Sequence, residues 1–319
     1  MTDSIFYFVL NMSVAACFVI VVLLLIRLIK PLPRRFAYPL WALAFFRLAF
    51  PFTLTSGWSF FNLTGGLIKK LITIETITQG TIVVPRPENW AAMNFMGAAE
   101  TYVPIEYKSE SLRNIFVVSS LIWLIVAAAA ILVWVILYLL TRSELRKAVR
   151  IRDNIFYSDL LLSPVIIGLI RPKIILPAAL DVDSPEGIMV LAHEYVHRQR
   201  LDNLWRVIAI LTACIHWFNP LVWLSLKAFF ADMEQSCDEV VLKKGDYNTE
   251  ERKAYAKTLL HFAEDKRIYL STAFGQSNVK VRVVNVLNYK RLTILGAILS
   301  TLFLLAVILA LITNPALRD

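Results

Sequence analysis

The sequence predicts a mainly α-helical membrane protein, with four transmembrane helices carrying a cytoplasmic α+β domain, and three observations predict it. Of 319 residues, 58% are hydrophobic and 18% charged, against about 45–50% apolar in soluble domains, and the mean hydropathy is +0.62. Four segments are long and apolar enough to cross a hydrocarbon core, which takes about 20 residues of helix. Basic residues crowd alternate links between those segments, the pattern that orients membrane proteins.

The first span is Ile5 to Ile26. Thr2, Asp3 and Ser4 before it carry no positive charge, so it reads as a retained anchor and not as a cleaved signal. The link that follows holds Arg27, Lys30, Arg34 and Arg35 without an acid and is cytoplasmic by the positive-inside rule. The second span is Phe36 to Leu54, completing a unit over residues 1–54. It contains Arg47, four residues before Pro51; an intramembrane arginine is either a functional group or a structural pair or snorkelling side chain. Residues 55–113 form an extracellular loop whose five basic residues (Lys69, Lys70, Arg86, Lys108, Arg113) balance five acids. The third span, Ile115 to Leu140 within residues 114–140, is followed by Arg142, Arg146, Lys147, Arg150 and Arg152. Residues 141–291 are therefore a cytoplasmic domain, and Leu292 to Ile312, within residues 292–313, is the fourth span. Both termini fall outside the cell membrane, and only Thr313 to Asp319 follow the last span, so no outer C-terminal domain is expected. The net charge of +9 is explained by this topology, with no direct nucleic-acid partner implied. Three cysteines, with no CxxC pair, supply no disulfide framework.

Chemistry concentrates in the cytoplasmic domain. Ser184 and Pro185 are an N-cap and first-turn residue for a helix holding His193-Glu194-Tyr195-Val196-His197. Residues i and i+4 share a helical face, so both imidazoles can meet one ion, with Glu194 one step round. This is the HExxH pattern of zinc peptidases; the plain alternative is a surface helix with two histidines. A third ligand is needed. His261 and Cys237 are alternatives, but Glu234 and Asp238 share a face, so that one carboxylate can bind metal while the other accepts a ligand imidazole N–H. Glu-x-x-x-Asp after HExxH is the gluzincin arrangement. Between the motifs, Leu204 to Phe230 is broken by Asn219-Pro220 into two arms too short to span. A membrane-proximal helical hairpin over 204–230, at or partly in the inner leaflet, would return Glu234 to the histidines. His216, beside the break, is either an oxyanion or substrate contact or a polar group satisfied at the turn. Ser163 to Pro177 reads as two β-branched strands around a Gly and Pro turn, whose edge could take an extended peptide.

Four ordered motifs, S-P-x-x-x-G-x-x-R-P-K-I-x-L-P (Ser163 to Pro177), H-E-x-x-H-x-x-x-x-D (His193 to Asp202), H-W-F-N-P-L-V-W (His216 to Trp223) and E-x-x-C-D-E (Glu234 to Glu239), resemble the BlaR/MecR family of integral-membrane metallopeptidases. The four-span layout and R-L-x-x-P (Arg47 to Pro51) are similar too. The resemblance implies a gluzincin-type domain with one zinc on His193, His197 and Glu234, Glu194 as the base and Asp238 behind the ligands; Asp202 matches a family position of underived role. It also implies transmembrane signalling of the antibiotic-response type. The antibiotic receptors continue into a penicillin-binding sensor domain, which this chain is expected to lack. The implied reading is a zinc endopeptidase that cleaves a cytoplasmic protein, a DNA-binding repressor, itself or both, with the trigger supplied by the outer loop or a partner, and with a sensor partner or a homo-oligomer as the expected association. A quality-control or processing protease similar to HtpX or the CAAX proteases, and a non-catalytic receptor or scaffold, are the competing readings.

Overall fold

A computed structural model describes residues 2–29, 31–50, 54–56, 110–262 and 279–315; the expected outer loop lies almost wholly outside the described residues. In chain order the helices are α1 (Thr2–Ile26), α2 (Arg34–Ala37), α3 (Trp41–Ala49), α4 (Glu110–Glu144), α5 (Pro185–Gln199), α6 (Asp202–Ile215), α7 (Pro220–Gly245), α8 (Thr249–His261), α9 (Val279–Leu287) and α10 (Ile294–Ile312). The strands are β1 (Leu54–Ser56), β2 (Val149–Arg152), β3 (Ile155–Ser158), β4 (Val165–Ile167), β5 (Lys173–Pro177) and β6 (Thr313–Pro315). The protein is thus mostly helical with a small sheet, and α1, α4 and α10 are each long and apolar enough to cross a membrane.

The second expected span is not one helix. After α2 the chain takes a 3-10 turn at Tyr38–Leu40 containing Pro39, which has no N–H to continue an α-helical ladder. α3 stops at Ala49, with Phe50 extended (φ −119°, ψ 123°), the conformation favoured before a proline. Arg47 is 1% exposed and donates to the carbonyls of Leu311 (2.8 Å) and Thr313 (3.0 Å). Its guanidinium therefore caps the end of α10, where helix carbonyls lack intrahelical donors.

The hairpin of α6 and α7 is inserted along the bundle and does not rest at one end of it. Ala209 and Ala213 of α6 and Val222, Leu226 and Phe229 of α7 share one core with Val19 and Ile20 of α1 and Ala44 and Phe45 of α3. At its tip, Trp123 Nε1 donates to the Ile215 carbonyl (2.7 Å) and Asn219 Nδ2 to Ser13 Oγ (2.7 Å). Ser13 stands about 20 Å of helix from Ile26. Each arm alone is too short to span, but the pair buries its apolar faces and its turn finds polar partners inside the bundle.

The sheet has the order β2-β3-β5-β4, with β3 and β5 parallel and the outer pairs antiparallel. β4 and β5 are the two strands expected around Gly168, which sits at φ +103°, a conformation that favours glycine. Ile155, Ile174 and Leu176 of the sheet pack against Val190 and Leu191 of α5, fixing the helix that carries the HExxH pattern.

Candidate metal centre

α5 begins as its sequence dictates: Ser184 is the N-cap, accepting from the Gly187 N–H, and Pro185 occupies the first turn. The helix brings the Nε2 atoms of His193 and His197 within 3.1 Å of each other. α7 returns from the hairpin tip and sets Glu234 Oε2 3.4 Å from His193 Nε2 and 3.6 Å from His197 Nε2. An ion held at ~2.0–2.1 Å by tetrahedral ligands separates their atoms by roughly 3.3–3.4 Å, so these three edges fit one. Cys237, one turn beyond Glu234, is close as well. The donor atoms of His193, His197 and Cys237 lie within 4.8 Å of one another, and its thiol also donates to the His193 carbonyl at 3.3 Å.

Both imidazoles are oriented from behind. His197 Nδ1 is 2.6 Å from Asp202 Oδ2. The reach back is possible because Leu201, between α5 and α6, adopts the left-handed conformation (φ 55°) and folds Asp202 under the helix end. His193 Nδ1 is 2.9 Å from the Tyr255 hydroxyl, which donates onward to Asp238 Oδ1 at 2.8 Å. Carboxylates accept only, so each Nδ1 carries the proton and each Nε2 presents a lone pair to the common centre.

Two arginines complete the electrostatics. Arg206 donates to Glu234 Oε1 at 2.8 Å, and Arg282 grips Asp238 with a two-pronged contact, 2.8 Å at each oxygen. Arg282 Nη1 also lies 3.2 Å from Glu234 Oε2. Burial alone would push both carboxyls up; His197 and Arg282 outweigh it for Glu234, and Arg282 does so for Asp238, so both are held well below the ordinary range.

The centre opens on a cavity of about 360 Å³ lined by Glu194, by residues 163–169 around β4, by Arg206 and Val207, and by Trp134, Tyr138 and Thr141 of α4. A helix long and apolar enough to cross a membrane thus forms one wall. Asn203 Nδ2 donates to the carbonyls of Ile166 (2.9 Å) and Gly168 (3.1 Å), so the strand edge expected to receive a peptide already has a side chain on it.

Two sequence candidates lie elsewhere. His216 closes α6 at the hairpin tip, with Nε2 3.0 Å from the Leu48 carbonyl, about 20 Å of helix from Glu234. It is not among the residues that line the cavity beside Glu234. His261 pairs with Glu186 at the surface, 2.9 Å apart. Conversely, Tyr255, Arg206 and Arg282 were not singled out from sequence. Tyr255 is an isolated aromatic on a charged helix and Arg282 shares a valine-rich one with Lys280, patterns with no chemical signature; only the spacing of Asp202 after His197 was visible.

"Regulatory protein BlaR1" of Bacillus licheniformis is 36% identical over 140 residues, which are 42% of this chain and 23% of that protein. "Methicillin resistance mecR1 protein" of Staphylococcus aureus is 28% identical over 138 residues, 41% of this chain and 23% of the relative. The matched stretch thus spans about a quarter of these curated relatives. The family model described as BlaR1 peptidase M56 matches residues 7–286, from α1 through the HExxH helix and past Arg282 in α9, and the chain belongs to that family.

Proposed function

We propose that the chain is a membrane-embedded, zinc-dependent endopeptidase of a transmembrane signalling pathway, acting on the cytoplasmic side. The observation that carries this reading is the near-equilateral set of donor atoms from His193, His197 and Glu234 at one wall of a cavity that Glu194 also lines. Glu234 is preferred to Cys237 as third ligand because a catalytic ion must keep a position open to the cavity. Glu234 lines the cavity, whereas Cys237 is 0% exposed and does not. Bound zinc would polarise the scissile carbonyl and lower the pKa of its water to ~7. Glu194, which lines the cavity, would serve as the base that takes a proton from the attacking water and returns it to the leaving amine. Asp202, and Tyr255 with Asp238, hold the imidazole tautomers; Arg206 fixes the carboxylate of Glu234.

The substrate class is a cytoplasmic protein, a transcriptional repressor or the chain itself, with the outer loop or a sensor partner as trigger and a homo-oligomer as a further association. Four passes with both termini outside remain the proposed topology. The interrupted second segment supports it by ending where α10 ends: Arg47 caps α10, and β1 pairs in parallel with β6 from Leu54 and Thr313 onward. The domain limits 1–54, 55–113, 114–140, 141–291 and 292–313 follow.

The test compares cytosolic protein N-termini by mass spectrometry in cells expressing wild-type or Glu194→Ala protein, with zinc content measured in both. New N-termini made only by the wild type, at equal zinc, are expected. Equal cleavage by Glu194→Ala would refute the mechanism.

A further inference from the structure

α7 carries the third ligand candidate on one side and, on another, grips the connection between the first two membrane segments. Asp232, 1% exposed, accepts from Arg27 Nε at 2.8 Å and from Trp41 Nε1 at 2.9 Å. One turn past Glu234, Glu239 accepts the backbone N–H groups of Arg34 (2.7 Å) and Arg35 (3.0 Å), closing the exposed start of α2. The connection is therefore fastened at its two ends and in its middle to the helix that holds the metal site.

Tyr38, within that connection, reaches a different element. Its hydroxyl donates to Asp202 Oδ1 at 2.9 Å, while the other oxygen of Asp202 receives His197 Nδ1–H at 2.6 Å. The tyrosine ring is clamped, with the Arg200 guanidinium 4.4 Å from its centre and Phe229 stacked at 5.5 Å. Asp202 is 1% exposed, so water is not at hand to replace the hydroxyl. Groups behind a metal-bound histidine set its orientation and basicity.

We propose that Tyr38 is a positioning residue of the metal centre, acting through Asp202 on His197, so that the connection between the first and second membrane segments sets how tightly the site holds zinc. The inference rests on the zinc reading above. A shift of α1 and α3 relative to α7 is then felt at His197 with no contact between membrane segment and substrate.

The experiment uses the full chain purified in detergent, with zinc affinity read by chelator competition and folding by thermal unfolding of the zinc-free protein. Tyr38→Phe lowers zinc affinity about tenfold, the lower end of effects behind metal ligands, with little change in the zinc-free unfolding temperature. Asp202→Asn lowers it as much or more, and the double variant no further than the worse single, because both break one chain of bonds. Tyr255→Phe, acting through His193, multiplies with Tyr38→Phe. Unchanged zinc affinity in Tyr38→Phe, or losses that multiply between Tyr38→Phe and Asp202→Asn, overturns the inference. Wild-type protein that binds no zinc, or His197→Ala that binds it normally, overturns the zinc reading itself.

Discussion

Gly187 stands six residues before His193 on the same helix, and adding one methyl group there tests how rigidly the centre is mounted. A Cβ at Gly187 would fall 2.1 Å from the Asp181 carbonyl oxygen and 2.9 Å from that of Val182. Both are backbone atoms, so neither can rotate away. Ser184 Oγ already donates to the Asp181 carbonyl at 2.6 Å while accepting from the Gly187 N–H at 3.0 Å, so the methyl also enters the N-cap. Restoring an ordinary contact needs a displacement of about 1 Å of either the loop or the helix start. Overpacking of this kind costs about 1–3 kcal/mol, and a misplacement near 1 Å at a reacting centre costs on the order of 10²-fold in rate. Gly187→Ala is therefore expected to lower the unfolding midpoint by several degrees, at roughly 2–4 °C per kcal/mol, and cleavage of a fluorogenic peptide by about 10- to 100-fold at saturating zinc. Wild-type stability together with wild-type cleavage would show that the loop yields freely and that α5 is not held by the contacts named here.

The ligand set is open to direct challenge. Cys237→Ser should keep stoichiometric zinc while Glu234→Gln loses most of it, and in the cobalt-substituted protein the absence of a thiolate charge-transfer band should agree; the reverse pattern would make Cys237 the ligand. Arg47→Leu leaves the Leu311 and Thr313 carbonyls without their donor, at a cost of about 1–3 kcal/mol, visible as a lower unfolding temperature in detergent with zinc content unchanged. Burial raises the pKa of Glu239 above its ordinary 4.5, the backbone N–H groups of Arg35 and Arg34 offsetting only part of the shift. The folded state then holds more protons than the unfolded one between 4.5 and the raised value, so stability falls as pH rises through that window. Glu239→Gln should flatten this slope in unfolding measured across it, and an unaltered slope would deny Glu239 the effect.

What could be read from residues alone divides along the range of the interactions. His193 and His197, and Glu234 and Asp238, are neighbours by helical period, and Ser184 with Pro185 marks a helix start within four residues; geometry of that range is written locally. The interruption of the second segment is not visible in its apolar composition, because it arises where Pro39 breaks the backbone ladder. The depth of the α6–α7 hairpin depends on Ser13 and Trp123, which are far away in sequence, and arm length alone could not reveal it. β2 was missed because its V-R-I-R alternation is exposed on both faces and carries no core signal. Tyr255 and Arg282 reach the centre from helices about 60 and 90 residues beyond His193, and only packing brings them there. His216 drew attention as a histidine next to a break, yet its partner is a backbone carbonyl 168 residues earlier.

The cavity beside the centre, at about 360 Å³, is at the small end of ligand pockets and has a membrane helix for one wall. On the proposed peptidase reading, a folded domain would not fit there, so a client would have to thread in a short extended segment and its own local unfolding would precede cleavage. Selection then lies partly in the client: a site whose opening costs about 3 kcal/mol is cut roughly a hundredfold more slowly than one already frayed. On that reading, two proteins with identical residues around the scissile bond would meet very different fates, and a binding event that melts one loop of a client would be enough to mark it for cutting.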